Sequence, residues 1–231
     1  MKTLSNNIDD CLKQISNQKN IEFIKNTISG NIPKYNDIPD FKLNSFKTFE
    51  DDYFIREIYT HFCSWCIVND EWIIEIAKIC KNKKCIEIMA GNGLISHALQ
   101  IHGIDIRPYD NFSWESLTKY TTVYEMDAIE CAENLDYDYV ICSWPPCDST
   151  DICMVLKKMY YKNPKSKLIY IGEYQGGATA CDKFFDMVDT INRGYESKII
   201  NNANNYFKRF DGIHDYISLM KPNDKCKNYH E

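Results

Sequence analysis

No apolar run in the 231-residue chain approaches the roughly 20 residues a helix needs to cross a bilayer, so no membrane association is expected. Basic charge is short: 27 Lys and Arg against 33 Asp and Glu leave a formal net charge of -6. Non-specific attraction to phosphate backbones needs clustered Lys and Arg, which makes nucleic acid the less expected partner. The opening MKTLSNNIDDCLKQ lacks the charged-then-apolar-then-small pattern of a secretory leader, and a cytoplasmic setting is expected. A disulfide framework is missing too, because eleven cysteines are an odd number at irregular spacing. Nor does a second CxxC follow Cys63 and Cys66. Structural zinc normally takes four ligands, so no metal is expected, and these thiols fit a buried helix face.

What is present is ordinary for a globular chain, with 44% hydrophobic and 26% charged residues. Its length allows one large domain with a sizeable core. Residues 1–48 read as a polar, Asn-rich extension with one helix over 8–28, ended by SGNIPKYNDIPD, whose Gly30, Pro33 and Pro39 interrupt any long element. Residues 49–231 read as a single folded domain. Between 52 and 80, apolar residues recur at helical spacing (Phe54, Ile55, Ile58, Tyr59 and Phe62, then Trp72, Ile73, Ile76 and Ile79), which predicts two helices, the second capped by Asn69-Asp70.

From residue 85 the pattern alternates. CIEIM (85–89) predicts a buried strand, a glycine turn and an apolar helix over 94–101. Further strands are expected at DIRPY (105–109), TVYE (122–125), YDYVICS (137–143) and KLIYIGE (167–173), with helices near 150–161 and 179–191. Alternating strands and helices imply parallel pairing with both sheet faces covered. SKIINN and HDYISLM (214–220) then read as two strands without a helix between them. The expected fold is therefore α/β: a Rossmann-like, mostly parallel sheet of about seven strands ending in an antiparallel hairpin.

The chemistry concentrates where these strands end. Glu87 lies in the first strand, and Gly91 and Gly93 form the turn into the helix. Glycine lets a backbone approach a ligand closely, and a helix start offers free N–H groups to an anion. A plain strand-to-helix turn would look the same. Asp110 ends the second strand, one strand-helix-strand unit later, where an acid can accept from both hydroxyls of a ribose; a solvated loop aspartate is the alternative. Asp127 and Ala128 follow the third strand, where the acid either reaches an adenine or caps a helix.

The fourth strand runs into CSWPPCD (142–148). Carboxyl ends of parallel strands form the ligand crevice of open α/β sheets, which places Ser143, Trp144 and Pro145 there. Trp144 is either an aromatic wall for a substrate or cation or a ring packed beneath a proline-rich turn. Glu173 precedes Gly176-Gly177, as a base, as a ligand for an amine or hydroxyl, or as a tie for the turn. His214 and Asp215 offer an acid-base pair, or a structural histidine at the start of an edge strand.

EIMAGNG resembles motif I of the class I S-adenosylmethionine-dependent methyltransferases, with Met89 where most members have a further glycine. CSWPP resembles the Pro-Pro loop of amine methyltransferases, with Trp144 in place of the usual hydrogen-bonding residue and Cys147 in place of the aromatic. EIMAGNG, CSWPP, IGEYQGGATACDKFF (171–185) and GIHD (212–215) together resemble a group of bacterial and eukaryotic methyltransferase-like proteins. That resemblance implies S-adenosylmethionine as cofactor. It implies contacts from Glu87 to the amino end, from Gly91 and Gly93 to the methionine moiety, and from Asp127 and Ala128 to the adenine. Asp110 and Ser143 are expected beside them. Trp144, Pro145, Glu173 and His214 are the residues expected at the acceptor.

The leading expectation is a methyltransferase acting on a small molecule or a protein side chain. A nucleic-acid amine methyltransferase, and a non-catalytic binding or regulatory protein on the same fold, are the rivals.

Overall fold

The computed structural model describes residues 4–41, 46–114 and 118–229, with side chains described outside 46–52. Four helices precede the sheet: α1 Ile8–Leu12, α2 Gln18–Ile28, α3 Phe46–Phe62 and α4 Asp70–Cys80. Then come β1 Cys85–Ile88, α5 Leu94–Ile101, β2 Ile106–Asp110, β3 Tyr124–Glu125, α6 Ala128–Asn134, β4 Tyr139–Ser143, α7 Asp151–Lys162 and β5 Lys167–Gly172. After these come α8 Asp182–Asp186, β6 Val188–Thr190, α9 Tyr195–Asn205 and β7 Tyr216–Pro222, with a 3-10 turn at Asp224–Asn228 behind them.

One seven-stranded sheet has the order β3-β2-β1-β4-β5-β7-β6. Strands β1 to β5 pair in parallel, whereas β7 runs antiparallel to both β5 and β6. This is the expected Rossmann-like layout. Strand alternation explains why both faces are covered. Ile141, Ile169 and Ile171 join one apolar layer with α1 to α5 and α9. Their neighbours Val140, Cys142, Leu168 and Tyr170 join a second with α6, α7 and α8.

Three sequence expectations need correction. SKIINN is not a strand: it lies within α9, and β7's antiparallel edge partner is Val188–Thr190. On a helix, Ile199, Ile200 and Ala203 make one buried face, so a short β-branched run was misleading. The helix expected over 179–191 is only Asp182–Asp186, because the chain turns at Met187 into β6. The helix expected over 8–28 is broken in two, with Asn7 and Asn17 each capping a new start by accepting from Asp9 N and Lys19 N.

Residues 8–41 contribute Cys11, Leu12, Ile15, Phe23, Ile24, Ile38 and Phe41 to the same apolar layer as α3 to α5. Phe23 stacks on Tyr59 at 5.2 Å, and Gly30 O meets His97 Nε2 at 3.0 Å. The 48/49 position falls inside α3.

Candidate functional site

Strand β1 lies between β2 and β4, and Ile88 pairs with Tyr109 on one side and Cys142 on the other. The chain leaves β1 for β2 in one direction and reaches β4 in the other, so the carboxyl ends of β1 and β4 border a switch-point crevice. The glycine turn after β1 and the CSWPP loop after β4 therefore stand side by side. Cys142 Sγ approaches Met89 Sδ at 3.9 Å.

Met89, Gly91 and Gly93 all have positive φ, at 51°, 55° and 76°. Glycine takes that conformation freely, whereas a methionine adopts it at some cost. A side chain at Gly93 would meet Thr121 and Val123 at 2.9 Å, so this glycine is required by packing. A side chain at Gly91 would meet none of the described residues within 4 Å. Its Cα faces open space, which fits a glycine that admits a ligand rather than a neighbour.

Asp110 closes this turn from β2. Oδ2 accepts from Gly91 N and Oδ1 from Phe112 N, both at 2.7 Å. The carboxylate lies directly at the turn, half-buried, and also holds the start of its own loop. Asp127 caps α6 by accepting from Ile129 N at 2.8 Å, and Ala128 is buried behind it. Glu87 is 2% exposed and accepts from both N and Oγ of Ser96 in α5. Burial pushes its carboxyl up to about 7, Ser96 restrains the rise, and Asp110 adds to it.

Around the CSWPP loop, Ser143 Oγ donates to Cys66 Sγ at 3.5 Å. Trp144 takes a φ of 54° and is 8% exposed. Its N donates to Ile171 O at 2.8 Å, and its indole Nε1 to Asp215 Oδ2 at 3.0 Å. Trp65 stacks on it at 5.7 Å and Arg56 lies over the ring at 5.6 Å. Pro145 is buried, and its carbonyl accepts from Ala180 N at 2.8 Å.

Glu173 is likewise engaged, with Oε2 accepting from Ala178 N at 2.7 Å and Oε1 from His214 N at 2.8 Å. It thus ties the Gly176-Gly177 turn to the start of β7. The side chain of His214 is exposed, and its backbone makes the link.

Arg56 and Trp114 carried no signal in sequence, since each is a single residue within an unremarkable segment. The Asp215–Trp144 contact joins residues 71 positions apart. Only the strand order brings them together. Asp215 is 2% exposed, and burial raises its carboxyl to about 6, with Trp144 and Arg209 opposing the rise. Cys63 and Cys66 lie just beyond α3 rather than on its face, buried, with both thiols pushed up to about 12 by burial. Among the described residues no three His, Cys, Asp or Glu side chains are grouped as a metal ion requires.

No protein-family model matches the chain, and no curated protein matches it in sequence. Similar folds occur among solved structures. A mutant of MtNAS in complex with S-adenosylmethionine is 11% identical over 93% of this chain and 74% of that one, with a TM-score of 0.44. The glycopeptide N-methyltransferase MtfA, complexed with S-adenosyl-L-homocysteine, is 9% identical over 67% of this chain and 90% of that one, also at 0.44. TehB from Haemophilus influenzae is 11% identical, covering 73% and 67%, at 0.43. The strand order and register described above, rather than these likenesses, define the fold.

Proposed function

We propose that the chain is an S-adenosylmethionine-dependent methyltransferase acting on a small molecule or a protein side chain. The observation that carries this reading is the open face of Gly91, with the Asp110 carboxylate bonded to the same turn at the carboxyl edge of β1 and β2. In this reading Gly91 and Gly93 admit the methionine moiety of the cofactor and Glu87 receives its amino end. Asp110 receives the ribose hydroxyls, Asp127 and Ala128 the adenine, and Ser143 lines the crevice between cofactor and acceptor. When bound, S-adenosylmethionine supplies a methyl group already activated on a sulfonium.

The protein's remaining task is to align an acceptor lone pair, and holding reactants in attack geometry is worth on the order of 7 kcal/mol or more in good cases. We assign that positioning to the Trp144-Pro145 turn, with Glu173 and His214 bordering it. Residues 1–48 serve as an extension, of which 8–41 pack against α3 to α5, and 49–231 as the catalytic domain, in a cytoplasmic setting. Among the described residues no helix is long and apolar enough to cross a membrane.

A second reading, cofactor binding without catalysis, is favoured by one observation: both oxygens of Glu173 are occupied by backbone amides. Calorimetric titration with S-adenosylmethionine and S-adenosylhomocysteine tests the cofactor. Saturable binding that weakens in Asp110→Ala supports it, and absent binding by folded protein overturns it. Release of labelled methyl to any acceptor then excludes the non-catalytic reading.

A further inference from the structure

Asp215 precedes β7 and reaches the crevice through Trp144. One of its oxygens, Oδ2, accepts the indole N–H. The other, Oδ1, is buried with no hydrogen-bond partner among the described residues. Leaving a buried carboxylate oxygen unpaired is unfavourable, and a ligand that brings a donor removes that penalty. Glu173, the neighbouring acid, has each oxygen engaged by an amide, so the spare accepting capacity belongs to Asp215.

The Trp144 ring that Asp215 holds at its N–H edge also carries, on its face, an exposed aromatic corner. Trp65 and Trp114 meet edge to face at 6.0 Å and are 43% and 72% exposed. Trp65 also stacks on Trp144, which joins the corner to the Asp215 carboxylate. Large apolar side chains left open within one indole ring of a buried polar group are the makings of a small-molecule site. Arg56 already lies over the Trp144 ring, so an incoming ammonium is better received by the carboxylate than by that π-face. A charged donor also makes the stronger bond to a carboxylate.

We propose that Asp215, Trp65 and Trp114 form the subsite for the methyl acceptor, and that this acceptor is an amine carrying an aromatic or apolar body. The proposal rests on the methyltransferase reading for the word acceptor, while the subsite itself is open to direct test. Trp65, Trp114 and Trp144 are three of the chain's four tryptophans. The remaining one, Trp72, is buried in α4. Intrinsic fluorescence is therefore a reporter of this site.

Full-length protein is titrated with benzylamine and, as the neutral isostere, with benzyl alcohol, in the absence of any nucleoside. Wild type is expected to bind benzylamine saturably and roughly tenfold more tightly than the alcohol, the factor worth one charge-assisted hydrogen bond. Asp215→Asn abolishes that preference while S-adenosylhomocysteine binding, followed by calorimetry, is retained. Trp114→Ala, at an exposed position that leaves the fold intact, weakens both ligands alike and keeps the preference. Equal affinity of wild type for amine and alcohol, saturable binding of neither, a preference that survives Asp215→Asn, or indifference to Trp114→Ala overturns the subsite. Amine preference in protein that fails to bind S-adenosylhomocysteine overturns the cofactor reading and leaves the subsite standing. Should Asp215→Asn fail to fold, the wild-type comparison and Trp114→Ala decide.

Discussion

Asp110 accepts from Gly91 N and Phe112 N, so its replacement acts on the loop and on any ligand together. Asp110→Ala is expected to lower folding stability by about 1.5–3 kcal/mol, measured by urea unfolding, and to weaken S-adenosylmethionine by a similar amount in calorimetry. A stability loss with unchanged affinity would confine this residue to loop support. Glu87 gives a pH-dependent prediction. Its carboxyl is raised from 4.5 to about 7, so the neutral form is favoured in the folded chain. The stability it contributes is complete below the unfolded value and is lost as pH rises through about 7. Glu87→Gln should match wild type below about pH 4 and be more stable above pH 7, by on the order of 3 kcal/mol. Thermal unfolding across that window checks the sign. Trp144→Phe removes the indole N–H that Asp215 Oδ2 accepts and is expected to cost about 1–3 kcal/mol, with the loss smaller in acid, where Asp215 is protonated.

At the scale of elements, the turn between β1 and α5 separates two roles that the motif presents as one. Gly93 is walled in by Thr121 and Val123, whereas Gly91 faces open space. Gly93→Ala should therefore be the more destabilising change, by about 1–3 kcal/mol from overpacking added to backbone strain. Gly91→Ala should cost only the strain, about 1 kcal/mol, yet reduce nucleoside affinity more. Paired unfolding and binding curves for both variants test this division. The turn was legible in sequence because glycine spacing and helix start are local signals. So were β1, β4 and β5, whose apolar runs are buried on both faces. SKIINN was not legible: Ile199 and Ile200 favour either element, and only contact with α4 and β7 selects the helix. The corner made by Trp65, Trp114 and Trp144 was invisible for a related reason, since its members lie on three separate loops. Asp215, in contrast, was recognised as a titratable candidate, but its partner is an indole rather than His214.

Across the whole molecule, the Asn-rich character of the first 41 residues conceals apolar side chains that complete one face of the core. Polar residues there cap short helices, and the intervening Leu12, Ile15, Phe23 and Ile24 pack inward. Deleting residues 1–41 uncovers Tyr59, which is fully buried against Phe23. A lower unfolding midpoint and faster amide exchange in α3 are expected from that truncation; an unchanged midpoint would mean the segment adds little to the fold.

The sheet is bordered by β3, two residues long, and β6, three residues long. Glu125 ends the first, and Asp189, in the second, pairs with Lys221 at 3.7 Å. Long apolar edges act as templates on which further chains can add by backbone hydrogen bonding. Edges this brief, each bearing a carboxylate, offer little ladder to extend. The strand order that sets β1 and β4 at the centre of the sheet therefore also favours a protein that stays dispersed when concentrated, with self-association through strand addition suppressed at both ends.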